Sequence, residues 1–301
     1  MVFEPTYGTV LYDLEDGVAT MTLNVPERLN AFSGQMHADM LETYLEVNRD
    51  PDVKVLIITG TGRALSVGAD IKEEAGGQAG GRGGADRRIP MLDFIGSYQH
   101  REYPGLSKFG LADRAKGIPA KPVVTAVNGM CAGGGLHFLD TADIVICADD
   151  ATFFDPHVNV AIAACGETLG MVRNRQMPRG EALRVAMMGL RYRISAERAY
   201  QVGLVSEVVP RDQLLTRAKE LARRLAQSSP RAVSATVAAL WDTWSLPYSQ
   251  ARQFGAVYDQ TVRREPDASE GILARAEGRV PNWTTPTPEG AGVPAATPSR
   301  A

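Results

Sequence analysis

The sequence predicts an α/β core followed by a helical C-terminal region, and three observations carry that prediction. Short apolar runs of strand composition recur through the first half of the chain. Segments with apolar residues at helical spacing separate them. From about Arg211 onward helical periodicity takes over. Strands that alternate with helices bury a sheet between layers, and a further helical run packs as its own layer. A chain of 301 residues has room for one large domain or two smaller ones.

Each element has a local reason. Residues 9–12 and 18–23 read as strands joined through the turn Glu15, Asp16, Gly17. Ser33 is placed to cap a helix running to about Asn48, with Met36, Met40, Leu41, Tyr44 and Leu45 on one face. Residues 53–59 are a buried strand by composition and stop at Gly60. Residues 123–127 and 144–147 are further short buried strands. Leu214, Leu215, Ala218, Leu221 and Leu225 are spaced for one apolar helical stripe. Residues 74–86 are crowded with glycines and read as a loop, and residues 281–301 as a flexible tail rich in Pro, Thr, Gly and Ala. The expected organisation is a core over 1–210, a helical trimerisation or lid region over 211–280 and the tail.

Composition narrows the function. Hydrophobic content of 44% with 22% charged residues is that of an ordinary soluble globular protein. A net charge of −3 leaves no basic excess to neutralise phosphates, which argues against a nucleic-acid partner. Cys131, Cys147 and Cys165 are an odd, sparse set that fits a reducing compartment better than a disulfide framework. The sequence has no visible signal peptide and no apolar run long enough to span a bilayer, so the expectation is a cytoplasmic protein without a membrane partner.

Two glycine-rich segments invite a nucleotide reading, which fails. Gly60 and Gly62 follow a strand, but Leu65 stands where the third glycine of G-x-G-x-x-G belongs, and no P-loop pattern occurs. The segment from Asn128 to His137 is more informative. It runs from an apolar strand through Gly133, Gly134 and Gly135 to a polar residue opening a helix. That order leaves backbone N–H groups at a helix start, where developing negative charge is stabilised.

Four segments in register resemble the crotonase, or enoyl-CoA hydratase/isomerase, superfamily. Asn24 to Ala31 resembles its N-R-P-x-x-x-N-A turn, and Gly60 to Asp70 its G-x-G-x-x-F-S-A-G-A-D loop. Asn128 to His137 resembles N-G-x-x-x-G-G-G-x-E, and Phe153 to Ala161 resembles F-x-x-P-E-x-x-x-G. A weaker fifth match begins at Arg193. The resemblance implies a spiral of ββα turns, an acyl-CoA thioester substrate, no cofactor beyond the coenzyme A of that thioester, and a homotrimer or homohexamer. It implies an oxyanion hole from the backbone N–H groups of Val67 and Gly134. Its coenzyme A contacts fall on Arg28, Leu29, Ala31, Ala64, Ser66, Ala69, Asp70 and Ile71. Arg28 is the natural phosphate partner as a charged fork, or else a solvated turn residue.

The chain departs from the resemblance where chemistry is decided. His137 and His157, two of only four histidines, stand at the positions of the family's two catalytic glutamates. Asp140 lies one helical turn after His137, placed to fix its tautomer or to serve as a capping or subunit contact. A helix start disfavours imidazolium while Asp140 favours it, so the two effects oppose. Asp143 matches a structural acid of the family. Cys165 matches a proton-moving aspartate of one branch, although a buried apolar cysteine is the commoner case. Glu167 reads as a favourable first-turn charge, or as a displaced base. The expected catalytic set is therefore His137, His157 and Asp140, working by histidine acid–base chemistry as lyase/hydratase, isomerase or C–C hydrolase. Residues 74–110 are expected to shape the acyl end of the pocket. The alternative is a non-catalytic acyl-CoA-binding protein. A metal site built from His137, His157 and an aspartate is weaker still, and none is expected.

Overall fold

A computed structural model of the chain describes residues 8–72, 121–164 and 166–284, which form two units divided between Ser228 and Ser229. The expected glycine-rich loop, Cys165 and most of the tail lie outside the described residues. The first unit opens on a hairpin of β1 (Val10–Glu15) and β2 (Val18–Leu23), turning at Asp16 and Gly17. Helix α1 (Gly34–Arg49) follows, and the Ser33 hydroxyl accepts from the Met36 N–H at 3.1 Å, as the sequence predicts.

Three pairs of strands come next. They are β3 (Val55–Gly60) with β4 (Ala64–Ser66), β5 (Val123–Val127) with β6 (Met130–Ala132), and β7 (Ile144–Ala148) with β8 (Thr152–Phe154). The first member of each pair enters a large sheet and the second a small one. With β9 (Ile194–Ser195) and β10 (Glu207–Val209), the orders are β1-β2-β3-β5-β7-β10 and β4-β6-β8-β9. The large sheet is parallel from β2 onward.

Alternation along the central strands fills two cores. Leu56, Ile58, Val127, Val145 and Cys147 face one core; Val55, Ile57, Val124, Ala126 and Ile146 face the other. Both faces are covered, so these strands read as continuous apolar runs. Between and beside the strands lie α2 (His137–Asp140), α3 (Gly166–Asn174), α4 (Arg179–Met188) and α5 (Ala196–Gln201).

The expected helical region begins with helix α6 (Leu214–Ala226). It packs on the large sheet within the first unit, burying Leu214, Ala218, Ala222 and Ala226. Leu215, expected on the buried stripe, is 44% exposed. The described part of the second unit holds α7 (Pro230–Thr243), α8 (Tyr248–Arg263) and α9 (Pro266–Glu277). Buried Asp267 ties its ends, accepting from the Ser229 hydroxyl at 2.9 Å and from the Thr284 N–H at 2.8 Å. No helix among the described residues is long and apolar enough to cross a membrane.

Candidate active site

The strand that ends in β4 and the glycine turn that follows β6 are pressed together. Gly68 has φ +84°, and a Cβ there would lie 2.6 Å from the Gly134 nitrogen. Only a residue without a side chain allows that approach at that φ. Residues 64–66 and 68 are buried, as are 131–133 and 135–137; Val67 and Gly134 between them remain partly exposed. Gly134 lies in the first turn of the 3-10 helix Gly133–Leu136, where N–H groups have no acceptor within their own helix. The turn continues directly into α2, and the His137 N–H donates to the Gly134 and Gly135 carbonyls.

The early turn is stitched to the same place. The buried Asn30 amide donates to the Thr61 and Ala64 carbonyls, and its oxygen accepts from the Val25 N–H at 2.8 Å. The Ser66 hydroxyl donates to the Asn30 carbonyl at 2.7 Å, and Phe32 pairs with Gly68 and Asp70 through backbone bonds. Arg28 is thereby brought to Asp70, and the Asn30–Phe32 segment beside Ala64, Ser66 and Ala69. The Arg28 guanidinium pairs with the buried Asp70 carboxylate at 2.5 Å while its side chain remains 40% exposed, an anchored cation at the surface. Ala64 and Ser66 are fully buried, whereas Ile71 is exposed.

Beyond the glycine turn lies a row of five ionisable groups. Asp140 Oδ2 meets His137 Nδ1 at 3.3 Å, and His137 Nε2 meets Glu167 Oε1 at 3.3 Å. His157 Nε2 faces the same Glu167 oxygen at 3.7 Å, while His157 Nδ1 bonds Asp155 Oδ1 at 2.6 Å. Asp140 and Asp155 are buried behind their imidazoles. The expected trio of His137, His157 and Asp140 is thus joined by two residues outside it. Glu167 stands in the first turn of α3, as the sequence suggests, and also sits between the two histidines. Asp155 was not singled out in the sequence. Its Asx turn, with the His157 N–H donating to Oδ1 at 3.1 Å, follows from Asp two positions before His.

Local packing explains why Glu167 arrives there. Helix α3 lies so close to α2 that a Cβ on Gly170 would be 1.9 Å from Asp140 Oδ2. The end of α3 also caps α2: the Asn174 amide donates to the Asp140 carbonyl at 3.0 Å, and Arg175 to those of Leu139 and Ala142. Gly170→Ala is therefore expected to destabilise the protein by roughly 1–3 kcal/mol through overpacking and to loosen the Glu167–His137 contact. Thermal melts read the first effect; an unchanged melting temperature would contradict the packing account.

The charges follow from the row. Burial pulls the His137 imidazolium down, but Asp140 and Glu167 outweigh burial and push its pKa up to about 10. Burial also pushes the Asp140 carboxyl up, so the pair competes for one proton. The imidazole holds it, because it faces a second carboxylate in Glu167. The hydrogen bond to Asp155 raises His157 against its burial. Burial lifts the Glu167 carboxyl, yet the two imidazoles and its own backbone N–H hold it below the usual carboxylate range. At neutral pH a carboxylate thus stands between the His137 imidazolium and the His157 ring.

That assignment makes a stability prediction. A histidine whose folded pKa is raised contributes stability that is fully present below its unfolded value and lost as pH rises through the folded one. For His137 the window runs from 6.5 to about 10. The melting temperature is expected to fall across that window, and more gently in His137→Gln. Equal slopes in the two proteins would contradict the assignment.

Asp155, His157 and Glu167 also offer one ligand atom each, all within 4.8 Å of one another, the one such group among the described residues. The metal-capable set is thus not the His137-containing one considered from the sequence. The other sequence-marked residue, Asp143, is structural: its carboxylate accepts from the Val123 N–H at 2.7 Å. Cys131 and Cys147 are buried free thiols.

Strand pairs shared between two sheets, with a glycine crossover into a short helix, define a crotonase fold. An enoyl-CoA hydratase/isomerase from Mycobacterium paratuberculosis has this architecture, with TM-score 0.75, 36% identity, and coverage of 93% of this chain and 100% of that one. The sequence profile described as enoyl-CoA hydratase/isomerase matches residues 13–104 and 95–286. The chain is 33% identical to mevalonyl-coenzyme A hydratase of Aspergillus fumigatus over 88% of its own length and 91% of that protein. It is 32% identical to 1,2-epoxyphenylacetyl-CoA isomerase of Escherichia coli K12, over 91% and 98%. This chain belongs to the enoyl-CoA hydratase/isomerase family. Like the relatives it matches, it is an enzyme of that family.

Proposed function

We propose that the chain processes an acyl-CoA thioester by holding its enolate oxygen on the Val67 and Gly134 N–H groups while His137 supplies a proton. The observation that carries this reading is the close approach of Gly68 to Gly134, which sets Val67 and Gly134, both partly exposed in buried surroundings, beside the turn that leads to His137. Fixed dipoles aimed at an oxygen that gains charge need no reorganisation during reaction, and each donor contributes several kcal/mol. The relatives carry CoA esters in their names: a hydratase, an isomerase and, at 32% identity in Escherichia coli O157:H7, carnitinyl-CoA dehydratase. His137 rests protonated, so it serves as the acid, with Asp140 as its orienting partner; His157 completes the set.

Coenzyme A lies along Arg28, Leu29, Ala31, Ala64, Ser66, Ala69, Asp70 and Ile71, with the anchored Arg28 at a phosphate. Buried Ala64 and Ser66 serve through backbone atoms. The protein works in the cytoplasm as a homotrimer or homohexamer. Exposed Val160, Ile162, Leu169, Met187 and Leu190 support an assembly that covers them.

The coenzyme A of the thioester is the only cofactor in this reading, and proton transfer needs no metal. Dialysis against a chelator is expected to leave turnover unchanged. Loss of turnover restored by a divalent cation would instead assign Asp155, His157 and Glu167 to a metal. The test of the function itself is mass spectrometry after incubation with enoyl-, dienoyl- and cyclic β-ketoacyl-CoA thioesters. A new CoA-linked product is expected. A thioester retained in native spectra with no product would favour a binding protein.

A further inference from the structure

His137, as an imidazolium with one nitrogen on Asp140 and the other on Glu167, has no lone pair free to accept a proton. It can give a proton in the first half of a reaction, but another group must take one. Asp140 and Asp155 are 2% and 0% exposed, each behind an imidazole, and so are out of reach of a substrate. His157 is held at Nδ1 by Asp155 and faces Glu167 with Nε2. Among the three carboxylates of this row, Glu167 is the most exposed, at 7%, and the one that touches both imidazoles.

We propose that Glu167 is the general base of the site and that its contact with His137 returns the proton after each turnover. The proposal rests on the acyl-CoA reading above. For addition of water to an enoyl thioester, Glu167 takes a proton as the water O–H bond breaks. The oxygen's electron pair forms a C–O bond at the β-carbon, and the alkene π pair moves onto the thioester oxygen at Val67 and Gly134. The enolate then collapses, and its α-carbon takes the proton from His137 Nε2. This leaves Glu167 protonated and His137 neutral. One proton passes between them across 3.3 Å and restores the starting state, so nothing beyond water and substrate is consumed. His157, fixed by Asp155, holds Glu167 from its other side as a positioning residue.

A merely structural Glu167, favourable at the start of α3, makes a different prediction: Glu167→Gln would change melting temperature and leave kcat alone. The test uses the full chain and whichever thioester the wild type converts. Glu167→Gln and Glu167→Ala are expected to lower kcat by roughly 10²–10⁴-fold, with KM changed by less than about threefold. Added formate should restore part of the turnover of Glu167→Ala in proportion to its concentration. It should restore nothing to Glu167→Gln, whose amide fills the space. A kcat for Glu167→Gln within about threefold of wild type overturns the proposal, as does a loss in Glu167→Ala that formate does not relieve. If the wild type converts no thioester, the acyl-CoA reading falls and takes this proposal with it; activity in the wild type with an unaffected Glu167→Gln sinks the proposal alone.

Discussion

Replacing His137 with glutamine is expected to lower kcat by roughly 10²–10⁴-fold while leaving the affinity for a saturated acyl-CoA within a few-fold of wild type. Glutamine can still hydrogen-bond Asp140 and Glu167, so the row keeps its shape, but an amide has no proton to release at neutral pH. Binding persists because the amides of Val67 and Gly134 precede His137 in the chain and do not depend on its side chain. Parallel calorimetric binding and steady-state kinetics separate the two effects. A variant that loses both equally would place His137 among the binding groups. A variant that loses neither would end its role as the proton source.

The second large effect belongs to Gly68. Alanine at φ +84° carries backbone strain of about 1–2 kcal/mol, and its Cβ would meet the Gly134 nitrogen at 2.6 Å. The contact is with backbone, so no side-chain rotation relieves it; the segment carrying Val67 must move away from the glycine turn. The two amides then no longer converge. Losing one such donor lowers kcat by about 10²–10³-fold, and Gly68→Ala is expected to fall in that range beyond any loss of melting temperature. A folded Gly68→Ala with wild-type kcat would show that the pair of amides does not carry the chemistry.

What the sequence made legible was local or carried by motif. The Ser33 cap, the strand Val123–Val127 and the strand Val18–Leu23 each rest on composition and punctuation within a few residues, and they appear where expected. Val67, Gly134 and His137 were named from the resemblance of two motifs, Gly60 to Asp70 and Asn128 to His137, to the family's pattern. The stripe on α6 was misread at Leu215 because size was taken for burial. Against the large sheet, the row of Leu214, Ala218, Ala222 and Ala226 is buried, and Leu215 is left outside. Glu167 was legible as a first-turn charge, but its contact with two imidazoles was not. Its place between two imidazoles depends on how near α3 comes to α2, which is set by the missing Cβ of Gly170 and the caps of Asn174 and Arg175. Nothing in the periodicity of residues 166–174 records that approach. Asp155 lay closer to view, since Asp-Pro-His is a turn that brings carboxylate and imidazole together.

The central claim is that the site stabilises a thioester enolate and protonates its α-carbon from His137. The most direct test is incubation of a saturated acyl-CoA with the protein in deuterium oxide, followed by mass spectrometry of the recovered thioester. The account predicts deuterium gained at the α-carbon with wild-type protein, Glu167 taking the α-proton and His137 returning a deuteron, and little or none with His137→Gln or Gly68→Ala. Recovery of an undeuterated thioester that demonstrably binds would contradict it.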